Sequence, residues 1–153
     1  MAEQRWVFVV RCLDQSGVLS AVASVFANRG VSLEAILGSG IAATRAEDGR
    51  LILSFRATER KKDMLRRVLE RLSAILQVAA YRHDDPQLRA IAVVKLLHPE
   101  QADLSAVLAE TISQTAEAQT LLLTGSTVAI ETVVQQLRQQ ELLLDLVMTA
   151  VTV

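Results

Sequence analysis

Apolar residues along this chain fall into short alternations and one-sided stripes, and each pattern predicts a type of element. Residues 5–13 (RWVFVVRCL) are rich in Val, Phe and Trp and too short for a typical helix, so they predict a mostly buried strand. From there Val18, Leu19, Val22, Val25 and Phe26 recur at i, i+1, i+4, i+7 and i+8, one face of a 3.6-residue helix, with Ser20, Ser24 and Asn28 on the other side. Gly30 supplies a left-handed helix stop, and residues 31–37 resume a strand. The segment Gly38-Ser39-Gly40 weakens that strand, and residues 46–50 (AEDGR) form a polar turn around an Asp-Gly pair. A third strand follows over residues 51–57, with Leu51, Leu53 and Phe55 on one face and Ser54 and Arg56 on the other. Thr58 then caps a helix running to about Ser73, and residues 76–82 (LQVAAYR) give a fourth strand. The order is βαββαβ, a ferredoxin-like α+β arrangement with two helices covering one face of an antiparallel sheet.

The polar run His83-Asp84-Asp85-Pro86 is the best linker in the chain, and beyond it the plan starts again. Two tandem domains are therefore expected, residues 1–84 and residues 85–153. In the second, residues 88–96 (LRAIAVVKL) predict a strand, and Pro99 and Asp103 precede a helix with the stripe Leu104, Val107, Leu108 and Ile112. Residues 119–124 (QTLLLT) predict a strand, Gly125-Ser126-Thr127 turns into a helix carrying Ile130, Val133, Val134 and Leu137, and residues 142–153 end as a strand. Residues 113–118 (SQTAEA), where the plan calls for a second strand, carry little apolar signal, so this half is expected to be a shortened one. Each sheet would have exposed edges and a helix-free face. Association into a homodimer or larger is expected, with the sheets of the first domains paired edge to edge.

The chain has 153 residues, of which 51% are hydrophobic, yet no run approaches the ~18 apolar residues of a membrane span. The start, MAEQR, does not read as a signal peptide, so a soluble, cytoplasmic protein is expected. A net charge of −1 and 3% aromatic residues argue against nucleic-acid binding. The lone Cys12 cannot form an internal disulfide or a zinc cluster and reads as a small core residue. His83 and His98 lie in polar loops with no nucleophile or paired carboxylate at suggestive spacing, so they read as surface histidines, and Asp84 and Asp85 as part of a solvated linker. No cofactor, metal or catalytic residue is expected. One basic concentration stands out: Arg56, Arg60, Lys61, Lys62, Arg66, Arg67 and Arg71. Most of it lies opposite Met64, Leu65, Val68 and Leu72 on a solvated helix face, with a docking surface for an acidic partner as the alternative.

The candidate chemistry sits at the first strand-to-helix turn. The opening N–H groups of a helix have no internal partner and lie at the positive end of its dipole, so those of Gly17, Val18 and Leu19, beside Ser16, can receive a carboxylate. Gly17 permits close approach. Asp14 and Ser32 are expected to flank that position and meet a ligand ammonium or hydrogen-bond it. The plainer alternative is that Asp14 caps the helix and Gly17 only turns the chain.

The run VFVVRCLDQSGVLSAVASVFANRGVSLEAI resembles the start of an ACT domain, an amino-acid-sensing module: a strand, D/N-x-x-G-V-L, a helix, R/K-G, then a strand. The longer layout, with Arg89, IAVVKL and LLLTGS, is similar to the small regulatory subunit of acetohydroxyacid (acetolactate) synthase. That resemblance implies a non-catalytic subunit that binds a branched-chain amino acid such as valine at an ACT dimer interface and modulates a separate thiamine-diphosphate-dependent catalytic subunit. It places the effector at Asp14, Ser16, Gly17, Val18, Leu19 and Ser32, where Asp14 and Ser32 stand in for two asparagines of that family. The alternative is a stand-alone ACT-like sensor or adaptor acting on a different partner.

Overall fold

A computed structural model describes residues 2–40 and 49–153, so residues 46–48 of the expected polar turn lie outside the described residues. The chain divides into two compact units, one ending at His83 and the other spanning Asp84–Val151. The first contains β1 (Gln4–Cys12), α1 (Val18–Ala27), β2 (Leu33–Gly40), β3 (Gly49–Ala57), α2 (Glu59–Glu70) and β4 (Ile75–Arg82). Its four strands form one antiparallel sheet in the order β2-β3-β1-β4. The expected strand at residues 5–13 is deeply covered, with Trp6 to Val10 all buried.

Packing in this unit is aromatic. Phe8, Phe26 and Phe55, from β1, α1 and β3, meet edge-on with centroid separations of 6.3, 4.8 and 5.0 Å. Such pairs add about 0.5–1.5 kcal/mol each beyond their burial. Trp6 Nε1 donates to the Ala57 carbonyl at 3.0 Å, and Lys62 Nζ lies 4.5 Å from the Trp6 ring centroid, which ties α2 to β1. Gly30 ends α1 at φ 68°, where the Val31 N–H returns to the Phe26 carbonyl at 3.0 Å. Thr58 caps α2 as expected, its hydroxyl accepting from the Lys61 N–H at 3.2 Å.

The second unit contains β5 (Arg89–Leu96), a single 3₁₀ turn (Pro99–Gln101), β6 (Leu108–Gln114), β7 (Gln119–Ser126), α3 (Thr127–Gln139) and β8 (Leu143–Val151). Its sheet repeats the order, β6-β7-β5-β8, so both units have the ferredoxin-like strand plan. One expectation fails here. The helix assigned to Leu104, Val107, Leu108 and Ile112 does not form, and the strand that seemed to be missing is β6, beginning five residues earlier than the weak segment. The spacing itself misleads: Leu108 and Ile112 are four apart, and four is close to one helical turn and also a multiple of the two-residue strand period. Leu104 and Val107 still serve the interior, packing as loop residues against a core of Ala, Val, Leu and Ile roofed by α3 alone. Among the described residues no helix is long and apolar enough to cross a membrane.

Candidate functional site

In a βαβ crossover the helix returns the chain to the end of the sheet from which the first strand started, so β1 and β2 run the same way. Their C-terminal ends, Cys12 and Gly40, both lie level with Gly49 of β3. The loop after β1 leaves the sheet there. An open cleft of about 280 Å³ lies at this end, just below the 300–1,000 Å³ typical of drug-sized ligands, and therefore suited to a smaller molecule. Asp14, Val18, Leu19, Ser39, Gly40 and Arg50 are among its walls.

The helix start facing this cleft differs from the other two. α2 and α3 each begin on a hydroxyl that accepts from a first-turn N–H, Thr58 and Ser126 respectively, at 3.2 and 3.1 Å. α1 begins on Gly17, at φ 86° and ψ −14°, with no side-chain cap. Asp14 does not cap it, which removes the plainer reading of that residue. The first N–H groups of α1 are left to solvent or to an external acceptor.

Two glycines that looked like mere strand-weakeners shape the same place. A Cβ on Gly40 would run into the Asp14 carboxylate. A Cβ on Gly49 would lie 2.9 Å from the Cys12 carbonyl oxygen, 3.1 Å from its Sγ and 3.2 Å from the Asp14 nitrogen. Bare backbone on β2 and β3 is thus what lets the Asp14 loop rest on the strand ends. Gly40, Gly49 and Arg50 were missed as site residues, and the available signal was glycine on both sides of one hairpin. Beside them burial pushes the Cys12 thiol pKa up, with Asp14 adding to the rise and Arg50 opposing it.

Of the expected residues, Asp14, Val18 and Leu19 line the cleft; Ser16 and Gly17 belong to the turn behind it and are not among its walls. Ser32 is a correction. It precedes Leu33, which pairs with Phe55 at the other end of the sheet, seven residues and roughly 23 Å of strand from Gly40. Within one chain Ser32 does not flank Asp14.

Of the two histidines only His98 is a surface group, 3.5 Å from the exposed Glu100; His83 is half-buried, its Nε2 lying 3.2 Å from Arg5 Nη1. Among the described residues no three His, Cys, Asp or Glu side chains converge as a metal site.

Residues 6–77 match the family model of the ACT domain, and the first unit is an ACT domain. The protein is an ACT-domain protein whose whole fold resembles the small subunit of acetolactate synthase from Thermotoga maritima, at TM-score 0.70 and 17% identity over 99% of this chain and 97% of that one. The regulatory subunit of aspartate kinase from Thermus thermophilus matches at TM-score 0.45 and 13% identity, over 88% and 94%. An uncharacterised protein from Galdieria sulphuraria matches at 0.47 and 13%, over 99% and 100%. No curated protein matches the chain by sequence.

Proposed function

We propose that this protein is a non-catalytic regulatory subunit that binds a small amino acid in the cleft after β1 and modulates a biosynthetic enzyme, acetohydroxyacid synthase being the leading candidate. The observation that carries the reading is the uncapped start of α1 opposite Asp14. A free amino acid presents a carboxylate and an ammonium a short distance apart; the α1 N–H groups suit the first and Asp14 the second. Val18, Leu19 and Leu51 offer apolar contact to a branched side chain.

Ser32 enters this reading through a second copy. β2 is an edge strand, and antiparallel pairing of β2 with its counterpart about a two-fold axis sets the Leu33 end of one chain beside the Gly40 end of the other. Ser32 of each protomer would then approach the cleft of its partner. Ligand binding would bias the dimer's arrangement and so the activity of the enzyme it regulates.

The test is a thermal-shift screen of the twenty amino acids on wild type and on Gly17→Asp. A branched-chain amino acid at about 100 times its Kd is expected to stabilise wild type by about 2.7 kcal/mol and to leave the variant unmoved, because the new carboxylate repels the ligand's own. No shift with any amino acid would overturn the effector reading. Co-purification separates the two partner readings: a large thiamine-diphosphate-dependent subunit supports the first, and an unrelated protein the stand-alone sensor.

A further inference from the structure

α2 opens on an acid and closes on cations, as the helix dipole favours, but its first turn also holds cations that the dipole opposes. Cations are disfavoured in a first turn, where the dipole favours acids, yet Glu59 is followed at once by Arg60, Lys61 and Lys62. Lys61 and Lys62 have structural work: Lys61 Nζ donates to the Arg29 carbonyl at 3.1 Å, and Lys62 sits over Trp6 and 2.7 Å from Asp63. Arg66 pairs with Glu70 at 3.1 Å. Arg60, Arg67 and Arg71 are different. All three are exposed and, among the described residues, none is in an ion pair, although the field of Arg67 helps hold the Asp63 carboxyl below its ordinary range.

At 100° per residue these three arginines fall within a 40° sector, a row of about 16 Å along the axis. Arg67 and Arg71 close the helix, where the dipole favours cations, although as like charges at i, i+4 they also repel one another. Arg60 opposes the dipole and Arg67 repels Arg71, and among the described residues no ion pair neutralises any of the three, which leaves the charge of the row free to face a partner.

We infer that this row is a docking site for a carboxylate-rich surface of a partner protein. The flank decides the chemistry of the occupant. Glu59, Asp63 and Glu70 line the neighbouring side of the same helix, where they repel a continuous polyanion such as a nucleic-acid backbone but match a partner of mixed charge, acidic opposite the row and basic beside it. Few aromatic residues and a net charge of −1 agree. The inference stands apart from the effector cleft and is tested without any amino-acid ligand.

The probe is a fluorescein-labelled helical peptide with glutamates along one face and lysines along the neighbouring one, followed by anisotropy at about 50 mM salt, with a single-stranded RNA as comparator. The row variant is Arg60→Gln, Arg67→Gln and Arg71→Gln together; Arg and Gln have similar helix propensity, and circular dichroism checks that the helix persists. The control removes the same charge from the exposed Arg89, Lys95 and Arg138 of the second unit. Peptide binding is expected to weaken about tenfold or more in the row variant and to stay within about twofold in the control. Equal loss in both variants, no binding by wild type, or tighter binding of the RNA than of the peptide would each overturn the inference.

Discussion

Gly40 and Gly49 face each other across the β2-β3 hairpin, yet replacing them with alanine is expected to give opposite results. At Gly49 the new methyl meets the Cys12 carbonyl oxygen at 2.9 Å, its Sγ at 3.1 Å and the Asp14 nitrogen at 3.2 Å, and the two backbone atoms cannot rotate aside. Overpacking of this kind costs about 1–3 kcal/mol. Reduced freedom of the unfolded chain returns about 0.4–1 kcal/mol, so Gly49→Ala should lose roughly 0.5–2 kcal/mol. At Gly40 the obstacle is only the carboxylate of the exposed Asp14, which can turn away. Gly40→Ala should stay within about 0.5 kcal/mol of wild type, while displacing Asp14 weakens the proposed effector by about tenfold. Urea unfolding followed by tryptophan emission separates the two, because the only tryptophan, Trp6, is buried in the first unit and reports that unit. A Gly49→Ala midpoint equal to wild type, or a Gly40→Ala loss as large as that of Gly49→Ala, would refute the contact argument.

The two hydroxyl caps provide a second comparison. Thr58→Ala and Ser126→Ala should each cost about 1 kcal/mol, but only the first should move the Trp6 transition, whereas far-ultraviolet dichroism should register both. Cys12 gives a pH dependence. Its folded pKa lies above the ordinary 9.0, chiefly because burial disfavours the thiolate, so the stability it contributes is fully present below about pH 9 and is lost as pH rises through the folded pKa. The wild-type urea midpoint should therefore fall more steeply than that of Cys12→Ala between about pH 8 and about pH 10; parallel profiles would disprove it.

The first unit was legible because its periods are long and unmixed. Val18 to Phe26 covers more than two turns, Gly30 stops the helix in the left-handed conformation, and Thr58 opens α2 as its residue type suggests. The second unit was harder at β6, a fully exposed edge strand with neither a buried face nor a continuous alternation to announce it. Ser32 was misplaced for a different reason. Residue type identified it as a ligand-facing candidate, but only the common direction of β1 and β2, set by the intervening helix, shows that the start of one strand is remote from the end of the other. Gly40 and Gly49 needed contacts between segments that are distant along the chain, which no local pattern contains.

All five aromatic residues lie before His83, and the second core is built from aliphatic side chains alone. Three interlocked rings admit few substitutes, since each one's shape is fixed by the other two. Ala, Val, Leu and Ile can be exchanged among themselves wherever total volume is conserved. The two halves should therefore age differently over evolutionary time, the ringed core keeping its wording while the aliphatic one is rewritten around an unchanged sheet.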